Sequence, residues 1–259
     1  MTAPLPIKAL TFDVFGTVVD WRTSITSALT KAINSKLSSS PSLPPSTIAA
    51  LKSLSVSSFV REWRTSYGKF TLSFVPGTTP WKDIDTHHHD SLVELLCSHG
   101  LSGVFTTSEI EELSKQWHFL QPWDDSAAGI KKLGSQYVTA TLSNGNMSLL
   151  RDLNETGDLG FKELISAEEF KAYKPNPRVY LGACERLGLR PMEVAMVAAH
   201  LGDLEAARRQ GMRTVYVERK GEEAWRVEEG RYEEAKGWVD LWVGVEEGGI
   251  EEVARRLGC

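Results

Sequence analysis

Residues 193–218 read EVAMVAAHLGDLEAARRQGMRTVYVE. The apolar run 193–199 predicts a buried strand, 202–210 a helix, and the β-branched and aromatic run 213–218 a second strand. The same alternation extends upstream. It predicts a helix at 125–134, a strand at 136–142 (QYVTATL), a helix at 146–154, a short strand at 162–166 and a helix at 177–188. A further short strand at 7–14 is too brief for a helix and runs into turn chemistry at Gly16-Thr17. Strands alternating with helices imply a parallel sheet covered on both faces.

Between the first strand and this alternating region lies a block of different character. Residues 34–47, NSKLSSSPSLPPST, read as an exposed loop. Residues 46–70 predict one long or two shorter helices with Ile48, Leu51, Leu54, Val60 and Trp63 on an apolar stripe. Helices at 86–98 and 107–119 follow, with Thr107 or Ser108 as the N-cap of the second. The expected architecture is α/β: a doubly wound parallel sheet core, residues 1–21 and 122–259, carrying an inserted all-helical cap, residues 22–121.

The chain has 259 residues, 41% apolar and 24% charged, with a net charge of −5, as in an ordinary globular protein. No basic face is implied, so nucleic acid is not an expected partner. Met1 to Ile7 carries two prolines and no secretory signal is expected there; no stretch is long and apolar enough to span a bilayer. Cys97, Cys184 and Cys259 are odd in number and widely spaced, which suggests free thiols and a cytoplasmic location.

Ligands of doubly wound sheets lie beyond the carboxyl ends of the strands. Asp13, Phe15 and Thr17 follow the first strand, and Ser143 and Asn144 follow the second. Lys174 lies near the third, and His200 and Asp203 follow the fourth. Alone, each has an ordinary reading: an aspartate as a helix cap, Ser-Asn-Gly as a turn, a lysine before proline as a solvated side chain. At consecutive strand ends they point to one site.

The segments FDVFGTVVDWR, WHFLQPWDDS, LSNGN, YKPNPRVY and AAHLGDLEAARRQG resemble the haloacid dehalogenase superfamily, in particular its type II (L-2-haloacid) branch with its fluoroacetate-active members. The resemblance implies a Rossmann-like core with a helical cap, no cofactor and a small 2-haloacid as substrate. It implies Asp13 as nucleophile, Lys174 as its charge partner, Asp203 as second acid, and Ser143 and Asn144 as substrate-binding groups. Magnesium-dependent phosphatases of the superfamily carry a proton-donating aspartate where this chain has Phe15, and a metal-binding aspartate where it has Ala199. A departing halide needs no proton, so both losses suit displacement at carbon, with no metal. Thr17 is a further expected donor to the substrate carboxylate, His200 an expected partner of Asp203 in handling water, and Trp123 and Phe15 expected pocket walls.

The branch also uses a cap arginine to accept halide. Spacing from Trp63-Arg64 sets that position at Phe74, which leaves Arg61 or Arg64 as the expected cation, with a surface role as the alternative. Tyr180 is expected either beside the substrate or in the helix core. His87-His88-His89 read as solvated cap surface, Trp117, His118 and Trp123 as a packed hinge, and the acidic run from Glu222 to Glu234 as exposed. A phosphatase with an atypical metal site and a non-catalytic binding protein are the competing functions. Assembly as a homodimer stays open.

Overall fold

A computed structural model describes residues 7–39 and 43–259. The N-terminal segment 1–6 and residues 40–42 of the expected Ser/Pro loop lie outside the described residues. The chain divides into two compact units, Met1–Asp20 with Gln121–Cys259, and Trp21–Leu120.

Among the described residues, the first unit is built on seven short strands: β1 (Ala9–Phe12), β2 (Val19–Asp20), β3 (Gln121–Pro122), β4 (Val138–Thr141), β5 (Val194–Ala198), β6 (Arg213–Val217) and β7 (Leu241–Val243). Five form a parallel sheet in the order β4-β1-β5-β6-β7. The antiparallel pair β2–β3 stands apart. Strand β1 is in the interior of the sheet, with Phe12 paired to Thr141 on one side and Val197 on the other. Every residue of β1 and β5 is buried, as expected of a sheet covered on both faces, where apolar runs replace alternation. Helices Ser126–Leu133, Met147–Thr156, Pro177–Arg186, Leu201–Arg209, Gly230–Trp238 and Gly249–Arg256 belong to this unit.

The strand expected at 162–166 does not form. Only isolated bridges join Ala140 to Glu163 and Ser143 to Ser166. The Thr141 hydroxyl takes the ladder's place, accepting from Ile165 N at 2.9 Å and donating to Ile165 O at 3.1 Å. Strand β7, with three residues, gives too little pattern to be read from sequence.

The second unit holds helices Trp21–Ser39, Pro45–Ser53, Val56–Ser73, Ile84–Ser98 and Thr107–Ser114, and a 3₁₀ turn at Lys115–His118. The loop expected from residue 34 is helix as far as Ser39. Trp21, Ile25, Leu29 and Ile33 are buried at four-residue spacing, and that packing overrides the weak propensity of the serines. The N-cap of the last helix is Thr106, not Thr107 or Ser108. Its side chain and that of Glu109 form a reciprocal capping box.

Two of the three histidines, His87 and His88, are buried and not solvated. His88 is 1% exposed and stacks on Trp117 at 4.4 Å and 14°; His87, also buried, stacks on Phe70 at 4.5 Å and 7°. Successive helical residues point about 100° apart, so a broad buried face takes two neighbours of three. Trp117 also meets Trp21 and Trp63, and His118 Nε2 lies 2.9 Å from Asp85.

Candidate active site

Asp13 is the first residue beyond β1, and its N–H continues the ladder by donating to Val197 O at 3.0 Å. The chain then turns through Gly16, at φ 85°, a left-handed conformation that a Cβ would strain. That turn returns Thr17 to Asp13. The Thr17 hydroxyl donates to Asp13 Oδ2 at 2.9 Å and accepts from Ala199 N at 2.9 Å.

Lys174 Nζ lies 2.9 Å from Asp13 Oδ1 and 2.5 Å from Asp203 Oδ2, with the lysine side chain 8% exposed. His200 Nδ1 lies 3.1 Å from Asp13 Oδ2. Tyr180 donates its hydroxyl to Asp203 Oδ1 at 2.6 Å. Asp203 stands in the first turn of helix Leu201–Arg209. Asp13, Thr17, Lys174, Tyr180, His200 and Asp203 therefore form one connected group.

The electrostatics drive its two carboxyls apart. Burial would raise the pKa of Asp13, but Lys174 and His200 outweigh it and hold the group far below the usual carboxylate range. Asp203 is raised: burial and the Asp13 charge exceed the pull of Lys174. Burial opposes the charge of Lys174, yet the two carboxylates hold its pKa above the ordinary value. For His200, burial is overcome by the carboxylates at its two ring nitrogens, Asp13 and Glu222, and the pKa rises to about 9. The His200 side chain is 27% exposed, so one edge meets solvent.

Several expected substrate contacts are engaged inside the protein. Asn144 Oδ1 accepts from Lys174 N at 2.7 Å, and its Nδ2 donates to Lys174 O at 3.4 Å, so the amide clamps the lysine backbone. Thr17 spends its hydroxyl proton on Asp13. His200 contacts Asp13, not Asp203. Ser143 Oγ accepts from Gly145 N at 3.2 Å. Phe15 is buried, and a Cβ at Gly145 would come 3.2 Å from its ring, so the turn after β4 packs on it. Trp123 donates from Nε1 to Gly16 O at 3.0 Å, bracing the turn that follows Asp13.

Two supporting residues, Arg219 and Glu222, were not expected from the sequence. Arg219, just past β6, donates from Nε to Thr17 O at 3.1 Å and grips Asp125 with both terminal nitrogens at 2.6 and 2.7 Å. Carrying the strand-end search on to β6 finds Arg219. Glu222 opens the acidic run expected to be exposed, yet its side chain is 4% exposed and lies 3.6 Å from His200 Nε2.

In the helical unit, Arg61 is exposed and donates to Ser58 Oγ at 3.2 Å. Arg64 is half-buried, its guanidinium 4.3 Å from the Tyr67 ring centre and 5.5 Å from that of Trp21. Phe74, at the spacing-matched position, packs edge-on against Trp81. Among the described residues no three His, Cys, Asp or Glu side chains are grouped as metal ligands, and no helix is long and apolar enough to cross a membrane.

Residues 7–211 match the family model described as haloacid dehalogenase-like hydrolase. (S)-2-haloacid dehalogenase 1 of Pseudomonas sp. (strain CBS-3) is 30% identical over 217 residues, covering 83% of this chain and 86% of that protein. (S)-2-haloacid dehalogenase 4A of Burkholderia cepacia is 37% identical over 114 residues, a match that spans 43% of this chain and 49% of the relative. Among solved structures, the defluorinating L-2-haloacid dehalogenase Rha0230 is similar at a TM-score of 0.80 and 30% identity, over 98% of this chain and 96% of that one. The L-2-haloacid dehalogenase PA0810 follows at 0.79 and 31%, over 97% and 100%. The chain belongs to the haloacid dehalogenase-like hydrolase family.

Proposed function

We propose that this chain is a metal-independent hydrolytic dehalogenase. It cleaves the carbon–halogen bond of short 2-haloacids through an ester on Asp13. The observation that carries this reading is the pair of carboxyls about one ammonium: Asp13 held ionised, Asp203 held as the more basic partner. Pairs of titratable groups pushed apart in this way divide nucleophile from base. The named relatives act in the same chemical class.

The donors around Asp13 differ between its oxygens. Oδ2 receives the Thr17 hydroxyl and His200 Nδ1, and Oδ1 receives Lys174. In this reading Oδ1 attacks. It forms a bond to C2 of the substrate as the carbon–halogen bond breaks and the halide leaves with the electron pair, inverting C2. Asp203 then takes a proton from water, and the hydroxide adds to Cγ of the ester. The Cγ–Oδ1 bond breaks, and the proton returns to the departing alkoxide oxygen beside Lys174. The product is a 2-hydroxy acid; the balance releases one proton and one halide per turnover.

Within the helical unit Arg64, rather than the exposed Arg61, is the candidate cation in this reading, since rings on two sides shield its charge from water. Phe15 and Trp123 wall the site, and Ser143 supplies a hydroxyl to the substrate carboxylate. The free thiols suit the cytoplasm.

The test is halide release by the purified protein from fluoroacetate, chloroacetate and each enantiomer of 2-chloropropionate, beside a general phosphatase assay. The expected result is halide from the (S) enantiomer with an inverted 2-hydroxy acid as product. Phosphate release without halide overturns the reading.

A further inference from the structure

His200 stands between two carboxylates, and only Asp13 belongs to the machinery described above. The second, Glu222, is brought in by three features. Gly16 leaves it room: a Cβ at that position would lie 2.2 Å from Glu222 Oε2, so the carboxylate rests against the nucleophile turn only because residue 16 lacks a side chain. Arg219, whose carbonyl accepts from Glu222 N at 3.2 Å, ties the start of the loop to Thr17 O. Glu223, the next residue, accepts from Leu201 N at 2.7 Å and from Trp225 N at 2.7 Å, fastening the loop to the helix that begins beside His200. Glu222 Oε2 then lies 3.6 Å from His200 Nε2, while His200 Nδ1 lies 3.1 Å from Asp13 Oδ2.

We infer that Glu222 is a positioning residue for the reaction: it keeps His200 an imidazolium whose Nδ1–H faces Asp13 Oδ2. The inference rests on the dehalogenase reading and extends it. Attack through Oδ1 leaves Oδ2 as the carbonyl oxygen of the ester. When hydroxide adds to Cγ, the carbonyl electron pair moves onto Oδ2, where the Thr17 hydroxyl and the His200 N–H already stand at 2.9 and 3.1 Å. Donors preorganised where charge develops lower the barrier to ester hydrolysis. A charged donor does so more strongly than a neutral one.

The groups facing the ring are Asp13 from the β1 turn and Glu222 from the loop after β6, with Lys174 and Asp203 beyond Asp13. Burial works against the charged ring, and the two facing carboxylates hold its pKa at about 9. His200 is thereby a proton-bearing donor at neutral pH, not a base for water.

The test compares Glu222→Gln, Glu222→Asp and the wild-type protein. Imidazole NMR follows the His200 titration without turnover, and kcat and KM for a 2-haloacid are measured against pH. In Glu222→Gln the titration midpoint and the alkaline limb of kcat should both fall by about one pH unit or more. KM should change little, and Glu222→Asp should restore most of the shift. Wild-type turnover with an unshifted midpoint and limb in Glu222→Gln overturns the inference alone. A wild-type His200 midpoint at or below the ordinary histidine value overturns it even if Glu222→Gln fails to fold. Absence of halide release by the wild-type protein instead sinks the dehalogenase reading on which it rests.

Discussion

Asp13 and Asp203 share the Lys174 ammonium, yet their environments give them opposite tendencies. If Asp203 activates water, its loss stalls the second half of the reaction and spares the first. Asp203→Asn should release one equivalent of halide per site in a burst and retain an adduct on the Asp13 peptide in mass analysis. Steady turnover without an adduct would assign water activation elsewhere. His200 has a second consequence, on stability. Its pKa is raised on folding to about 9, so its contribution is complete below the unfolded value, about 6.5, and is lost as pH rises through about 9. Urea midpoints should therefore fall between pH 6.5 and 9 more steeply for the wild type than for His200→Asn. Parallel curves would contradict the ring's charged state. At this scale, the sequence exposes chemistry at strand ends but not the geometry of individual donors. Asp13, Lys174, Asp203 and His200 are all visible there. That the Thr17 hydroxyl is turned onto Asp13, and both ends of the Asn144 amide onto Lys174, depends on rotamers that no spacing encodes.

Elements are held by contacts that the same residue type can make or refuse. Helices Ser126–Leu133 and Gly249–Arg256 meet so closely that a Cβ on Gly129 would lie 2.6 Å from Ile250 C, a backbone atom that cannot swing aside. Gly237, in helix Gly230–Trp238, is exposed with nothing within 4 Å of a Cβ. The two glycines should respond oppositely. Gly237→Ala should stabilise by up to about 1 kcal/mol through helix propensity. Gly129→Ala should destabilise by about 1–3 kcal/mol through overpacking. Chemical denaturation of both variants checks the pair, and equal signs would refute the close approach. The buried strands were legible because β5 is an uninterrupted apolar run and β1 an apolar run broken only by Thr11. The expected strand at 162–166 failed because a threonine hydroxyl replaced its ladder partner. The helix ending at Ser39 was missed because its buried residues, Trp21, Ile25, Leu29 and Ile33, sit among many serines and threonines, and its last turns run into a Ser-rich stretch.

For the whole molecule, alternation of strand and helix after residue 122 carried the fold. Glu222 and Arg219 were hidden, because an acidic run and a lone arginine look solvated until the sheet brings the loop after β6 against β1. Phe15 and Ala199 stand where a metal-dependent relative would carry carboxylates. Turnover should therefore persist unchanged in excess EDTA, and activity that vanishes there and returns with magnesium would revive the phosphatase reading. The central claim is that the whole arrangement serves a covalent ester on Asp13. Asp13→Asn keeps the shape and removes the anion, so it should fold and lose activity by several powers of ten, each costing about 1.4 kcal/mol of barrier. The most direct measurement is a single turnover in oxygen-18 water followed by mass analysis of the Asp13 peptide. The label should enter the Asp13 carboxylate, because water attacks Cγ and the product leaves with the old Oδ1. Label found in the 2-hydroxy acid alone, with Asp13 unlabelled, would mean that water attacks the substrate directly and would contradict it.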